Sequence, residues 1–447
     1  MLTLLTLKKV VSDGSNTETE AEANEDFKTM RLIVYSHDAF GLGNICRMLA
    51  ICKYLLNTVP ELSILLISGS PVLHSFRMPA GLDYIKLPCM GRNESGELSA
   101  TYLKTNLQEA AKLRSDLIKA AVINFKPDLL LVDKKPYGLQ GELKASIDYL
   151  KTNLPETKLV LLLRDILDAP EVTIKEWHQQ GYYQALQQDY DRILVVGMSE
   201  IFDVTQEYQF PLSLCQKTEF CGYIRREYGC QRPEVIRQQL NVQPDEKLVL
   251  VTPGGGGDGY RLVETYLQGL AECNREGKIK TLIISGPEMP PNKRKEIFRA
   301  VRHLPHVQIS EFTDDLASYM EAADAVICMG GYNTICEVLS LSKKAVVVPR
   351  VNPVQEQWIR AERMADFGLF QTIHPDDLTP QSLMNAVLGQ LQSDNRSLPP
   401  VARLDLQALP RISYSISNLV YGNPNCSSNL QFKLSEIIEL YPLRAAS

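Results

Sequence analysis

The chain has 447 residues, 45% hydrophobic and 22% charged, with 47 Lys and Arg against 53 Asp and Glu for a formal net charge of −6. That length exceeds a single core and predicts two domains of ordinary size plus tails. The balance carries no basic excess for nucleic acid, and no apolar run nears the roughly 18–20 residues that cross a bilayer, which leaves only peripheral membrane contact open.

Residues 1–29 open on a short apolar run and continue polar and acidic, as in "SDGSNTETEAEANEDFK", a composition that predicts disorder and no signal peptide. From residue 30 short apolar runs alternate with amphipathic stretches. "RLIVYS" (31–36), "LSILLIS" (62–68), "DLLLVD" (128–133), "KLVLLLRD" (158–165) and "RILVVG" (192–197) predict buried parallel strands, so 30–222 reads as a doubly wound α/β domain. Residues 223–247 break the rhythm with charge and proline and read as a linker. The pattern restarts at 248 with "LVLVTP", "KTLIIS", "VQIS", "DAVICM" and "KAVVVP", giving a second Rossmann-like domain over 248–395. The tail, 396–447, is expected to hold one helix, "FKLSEIIELY". The ten cysteines show no metal or disulfide spacing and read as reduced thiols in a cytoplasmic protein.

Two such domains facing each other form a cleft, and ligands of open α/β sheets sit beyond the carboxyl ends of the strands. Three loops of the second domain fall there. "PGGGGDGY" (253–260) lets backbone amides approach a phosphate, with Gly255, Gly256 and Gly257 at its centre. Gly254, Gly256 and Gly259 also fit a dinucleotide pattern, but the next strand ends "IISGPEMPP" with no acid at its tip, which argues against a nicotinamide or flavin cofactor. "MGGYNTICEVLS" (329–340) frees the backbone at Gly330 and Gly331. Asn333 or Thr334 is expected to cap the helix and reach a phosphate, with Glu337 on the same face, suited to a ribose diol. In "PRVNPVQEQWIRAERM" Pro353 suits a helix start, and Glu356 and Gln357 suit sugar hydroxyls. Taken singly, each loop also has a plain structural explanation in capping and dipole compensation.

Residues 311–361 closely resemble the donor half of the bacterial peptidoglycan N-acetylglucosaminyltransferase family, which reads F-x-D-D-M-A, then S-G-A-x-T-x-x-E, then a Pro and a Gln pair. The whole chain is similar to a group of bacterial chains described as predicted glycosyltransferases, through "DLLLVDKKPYGLQGEL", "LLRDILDAP" and "GGYNTICEVLS". The resemblance implies a GT-B glycosyltransferase of the family 28 type, with a UDP-sugar as substrate, no separate cofactor and an inverting outcome. The acceptor stays open between lipid-linked, glycan and small molecule. Carried over, Glu337 would hold the ribose. Gly331, Asn333 and Thr334 would hold the diphosphate, Glu356 and Gln357 the donor sugar, and Phe312 and Thr313 would border uracil. Arg226 or Arg225 would reach a phosphate.

The first loop, "HDAFGLGNICR", departs from the family, because Asn44 stands where a histidine usually follows the glycines Gly41 and Gly43. An amide is no general base, so His37 or Asp38 becomes the candidate. Lys134, Lys135, Arg164 and Asp165 end strands of the first domain and are candidates for the acceptor side, with mutual ion pairing as the equal alternative. "DYD" (189–191) precedes a strand and is read as chance, so no catalytic metal is expected. The rival readings are a nucleotide-sugar 2-epimerase and a nucleotide-sugar binder without turnover.

Overall fold

The computed structural model describes residues 29–37, 43–92, 97–273, 277–393 and 404–422. Among the described residues fifteen strands follow in chain order: β1 (Met30–Ser36), β2 (Leu62–Ser68), β3 (Leu82–Lys86), β4 (Met90–Arg92), β5 (Leu98–Ala100), β6 (Leu129–Asp133), β7 (Lys158–Arg164), β8 (Arg192–Val196), β9 (Thr218–Phe220), β10 (Lys247–Thr252), β11 (Ile279–Ile284), β12 (Val307–Ser310), β13 (Ala325–Cys328), β14 (Ala345–Val347) and β15 (Gln371–Thr372). The first sheet runs β3-β2-β1-β6-β7-β8-β9 and the second β12-β11-β10-β13-β14-β15, while β4 and β5 make a separate hairpin. Every pairing in the two large sheets is parallel. Central strands are apolar along their whole length because helices cover both faces; all five residues of β6 are buried. These are the two Rossmann-like domains expected.

Each strand order reverses beside its first strand, β1 in one sheet and β10 in the other. Such a switch point opens a crevice at the carboxyl ends of the strands. One contiguous apolar cluster joins the domains, with Leu32 and Val34 of the first sheet and Leu250 and Cys328 of the second among its members.

Two expectations about organisation change. The segment 223–247 is not a free linker. Gly229 N donates to Glu321 Oε1 at 2.7 Å, Gln231 N donates to Ser318 Oγ at 2.9 Å, and Pro233–Gln239 is helical. These bonds fasten the segment to the second domain. The tail holds a helix that the sequence did not suggest, Ala408–Tyr421. It packs against the helix Gly43–Thr58 of the first domain, where the Thr58 and Ser413 hydroxyls lie 2.8 Å apart. The chain therefore returns to the domain it began in. The predicted helix "FKLSEIIELY" and the N-terminal segment 1–28 lie outside the described residues.

Among the described residues no helix is long and apolar enough to cross a membrane, and no group of three or more His, Cys, Asp or Glu is arranged to hold a metal ion. Asp191 of "DYD" instead accepts from Leu159 N at 2.8 Å, and Asp189 pairs with Lys151.

Candidate active site

The loop after β13 builds the first part of the site. The chain turns at Gly330 and Gly331 and enters the helix Tyr332–Ser340. Gly331 itself is the N-cap, and no side chain among the described residues caps the helix, so the expected capping by Asn333 or Thr334 does not occur. Both lie inside the first turn, whose amides are left for another acceptor. The aligned peptide dipoles make that end attractive to an anion.

The glycine loop after β10 closes in from the side. A Cβ on Gly254 would lie 3.9 Å from Thr334 Oγ1, so the two loops adjoin. Gly256 has φ of 89°, and a Cβ there would meet the Ser285 carbonyl at 2.2 Å, so only glycine lets this turn press against the end of β11. Gly257 faces open space, and Gly255 lies against Glu288, whose N donates to the Gly255 carbonyl at 2.7 Å. Glu288 is thus an acid close to the tip of β11, which the sequence reading overlooked because it sits past Gly286 and Pro287. Burial raises its carboxyl above the ordinary value, and so does Asp258; Arg350, which pairs with Asp258 at 2.9 Å, opposes them.

Glu337 is partly buried, and no described residue forms an ion pair with it. Burial pushes its carboxyl up, against the pull of the Arg226 charge. A desolvated acid held without a partner is unfavourable unless something else meets it. Arg226 Nη2 donates to Asn333 Oδ1 at 2.5 Å, and its backbone N donates to Ser340 Oγ at 2.9 Å. Of the two arginine candidates, then, Arg226 stands at the helix while Arg225 is exposed. Asn333 also reaches across the domains, its Nδ2 donating to the Gly43 carbonyl at 3.0 Å. Phe312 is 58% exposed, and Thr313 Oγ1 accepts from Asp315 N at 3.1 Å.

The third loop differs most from expectation. Glu356, proposed for sugar hydroxyls, is 5% exposed and lies 2.7 Å from Arg164 Nη1 and 3.1 Å from Arg360 Nη2. Burial alone would raise its carboxyl, but Arg164, Arg360 and Lys134 hold it at about 2. Gln357 uses its Oε1 to accept from Arg350 N at 3.1 Å. Pro353 follows a cis peptide bond and precedes the helix Glu356–Asp366 rather than opening it.

Arg164 and Asp165, expected on the acceptor side, are likewise engaged. Arg164 pairs with Glu356 as above, and Asp165 receives two bonds from Arg360, at 2.6 and 2.7 Å. Each joins the first domain to the second. Lys135 pairs with Glu176. Lys134 remains, with a left-handed φ of 70° and no described carboxylate at ion-pair distance. Burial and then the Arg164 charge lower its ammonium to about 8.

His37 is buried, with its N donating to Asp133 Oδ2 at 3.2 Å and its Nδ1 without a partner among the described residues. Burial, then the charges of Lys134 and Lys135, hold its imidazole well below the ordinary value. In that state it accepts a hydrogen bond but takes up a full proton poorly, which weakens its case as a general base. Asn44 Nδ2 donates to the His37 carbonyl at 2.5 Å and so ties the start of the helix Gly43–Thr58 to the end of β1. Asp38 and Gly41 lie outside the described residues. Sequence reasoning missed Arg47, Asp133 and Arg360. Arg47 and Asp133 form a buried pair at 2.6 Å, and no local pattern in the sequence links them.

Comparisons with known proteins bear on the family and the fold. Residues 248–410 match the glycosyltransferase family 28 C-terminal domain. The UDP-N-acetylglucosamine–N-acetylmuramyl-(pentapeptide) pyrophosphoryl-undecaprenol N-acetylglucosamine transferase of Lactococcus lactis subsp. lactis is 27% identical over 380 residues, covering 85% of this chain and 96% of that protein. Among solved structures, the kitacinnamycin glycotransferase superposes with a TM-score of 0.60 at 17% identity, over 88% of this chain and all of that one. The MurG structure from Acinetobacter baumannii gives 0.54 at 15% identity, over 89% of this chain and all of that one. The resemblance to family 28 therefore holds, and the fold is GT-B.

Proposed function

We propose that this chain, whose residues 248–410 match the family 28 C-terminal domain, is a glycosyltransferase that moves a sugar from a UDP-sugar to an acceptor hydroxyl. The observation that carries the reading is the helix Tyr332–Ser340, with uncapped first-turn amides at one end and, one turn on, Glu337 with no ion-pair partner among the described residues. A diphosphate at those amides and a ribose diol at Glu337 satisfy both at once. The adjoining glycine loop and Arg226 supply further donors to the diphosphate as it departs. Phe312, exposed beyond β12, offers an apolar face to a base.

With Glu356 committed to Arg164 and Arg360, recognition of the donor sugar falls to Gln357 and to the Asp258, Glu288 and Arg350 group beside the glycine loop. The acceptor enters from the ends of β1 and β6, where Lys134 is a cation with no described carboxylate partner. A lipid-linked acceptor follows the relatives whose names carry a pyrophosphoryl-undecaprenol, and it would bring the protein to a membrane surface from the cytoplasm without a spanning helix among the described residues. The family match favours transfer over epimerisation.

The test is release of UDP from UDP-N-acetylglucosamine in the presence and absence of candidate acceptors. Acceptor-dependent release supports the reading. Conversion of the donor sugar to its epimer without an acceptor overturns it in favour of the isomerase.

A further inference from the structure

Arg360 is fully buried at the seam between the domains. All three of its guanidinium nitrogens are engaged. Nε donates to Asp165 Oδ2 at 2.7 Å, and Nη2 donates to Asp165 Oδ1 at 2.6 Å and to Glu356 Oε1 at 3.1 Å. Nη1 donates to the Gly330 carbonyl at 2.8 Å. The Tyr332 ring lies 5.5 Å from the guanidinium carbon and 5.9 Å from that of Arg47, itself paired to Asp133.

These partners belong to different parts of the molecule. Asp165 follows β7 of the first domain. Gly330 and Tyr332 form the turn that aims the uncapped amides. Gly331 N donates to the Met329 carbonyl at 2.9 Å, so the turn is fixed from within as well as by Arg360. A planar fork can hold a carboxylate bidentately and still present a third nitrogen to a carbonyl; an ammonium cannot reproduce that geometry.

We propose that Arg360 is a positioning residue that couples Asp165 of the first domain to the aim of the amides at Tyr332, Asn333 and Thr334. The inference rests on the donor-site reading above. It adds that the first domain takes part in donor binding without touching the donor. Coupling of this kind is reciprocal, so a nucleotide at the amides also tightens the seam.

The test uses the full chain and two mild substitutions, Arg360→Lys and Asp165→Asn, each with two readouts. Without ligand, hydrogen exchange at Gly331 and Ile335, whose amides donate to the Met329 and Gly331 carbonyls and so report on the turn, is expected to rise about tenfold in both variants, while β10 keeps its protection. With UDP, the dissociation constant is expected to weaken about tenfold in each, within the usual range for coupled sites, and by no more than that in the double variant. Unchanged exchange in folded variants overturns the coupling whatever the nucleotide does. A lower melting temperature with unchanged exchange and unchanged UDP affinity also overturns it, since that is what a purely structural ion pair would give. If the wild-type chain binds no UDP, the donor-site reading fails, and the exchange readout alone decides whether Arg360 sets the turn.

Discussion

The two edges of the cleft handle charge in opposite ways. At the ends of β6 and β7, Asp133, Arg164 and Asp165 are buried or nearly so and paired with Arg47, Glu356 and Arg360. On the helix Tyr332–Ser340, Glu337 is desolvated with no ion pair among the described residues, and the first turn has no capping side chain. Both groups sit beyond strand ends, where a sequence reading expects ligands. Paired charges there join the domains, and the proposed function assigns the groups without an ion pair to the donor.

The sharpest way to break this contrast is to remove a paired charge. Arg360→Ala leaves Asp165 buried without its partner, and a loss of about 3–5 kcal/mol in stability is expected from urea unfolding. A loss under about 1 kcal/mol would mean that the seam is wetter than its geometry indicates. Acid probes the same network without mutation. Glu356 is held at about 2, below its ordinary 4.5, so its contribution is present above about pH 4.5 and fades as the pH falls toward 2. The effect is worth about 3 kcal/mol at most. Unfolding followed against pH in wild type and Glu356→Gln should converge at low pH; parallel curves would remove Glu356 from the account.

Smaller effects sharpen the unpaired side. Glu337→Ala should weaken UDP about tenfold or more, the value of a charged hydrogen bond at roughly 1.5–3 kcal/mol. Stability should hold or rise slightly, because a desolvated carboxylate is lost. Arg226→Ala should weaken UDP and loosen Asn333, whereas Arg225→Ala should change stability by no more than about 0.5 kcal/mol, as for an ordinary surface site, and leave UDP affinity alone. Equal effects of the two arginines would put them back on one footing.

Much of the fold was legible in the sequence because buried parallel strands read as continuous apolar runs, and those runs match β1, β2, β6 to β8 and β10 to β14 within a residue or two. The edge strands β3, β9 and β15 escaped, being short or of mixed polarity. The helix Ala408–Tyr421 escaped because Pro410 and its serines and β-branched residues argue against helix; Pro410 lies in the first turn, where proline does little harm, and packing supplies the rest. In the site, residue types were legible and their commitments were not. Glu356 and Arg164 are 192 positions apart and Asp165 and Arg360 are 195 apart, and no local spacing reveals such a pairing. Placing Glu337 on the helix with Asn333 and Thr334 needed only local spacing, and all three lie on the helix Tyr332–Ser340; the Arg226 charge beside Glu337 was not legible in that way.

The proposed function makes the open helix start and Glu337 a UDP site. Calorimetric titration of the wild-type chain with UDP, ADP, GDP and NAD tests it directly. UDP is expected to bind most tightly, and Glu337→Gln is expected to remove most of its advantage. Tightest binding by NAD, or UDP binding unchanged in a folded Glu337→Gln variant, would contradict it.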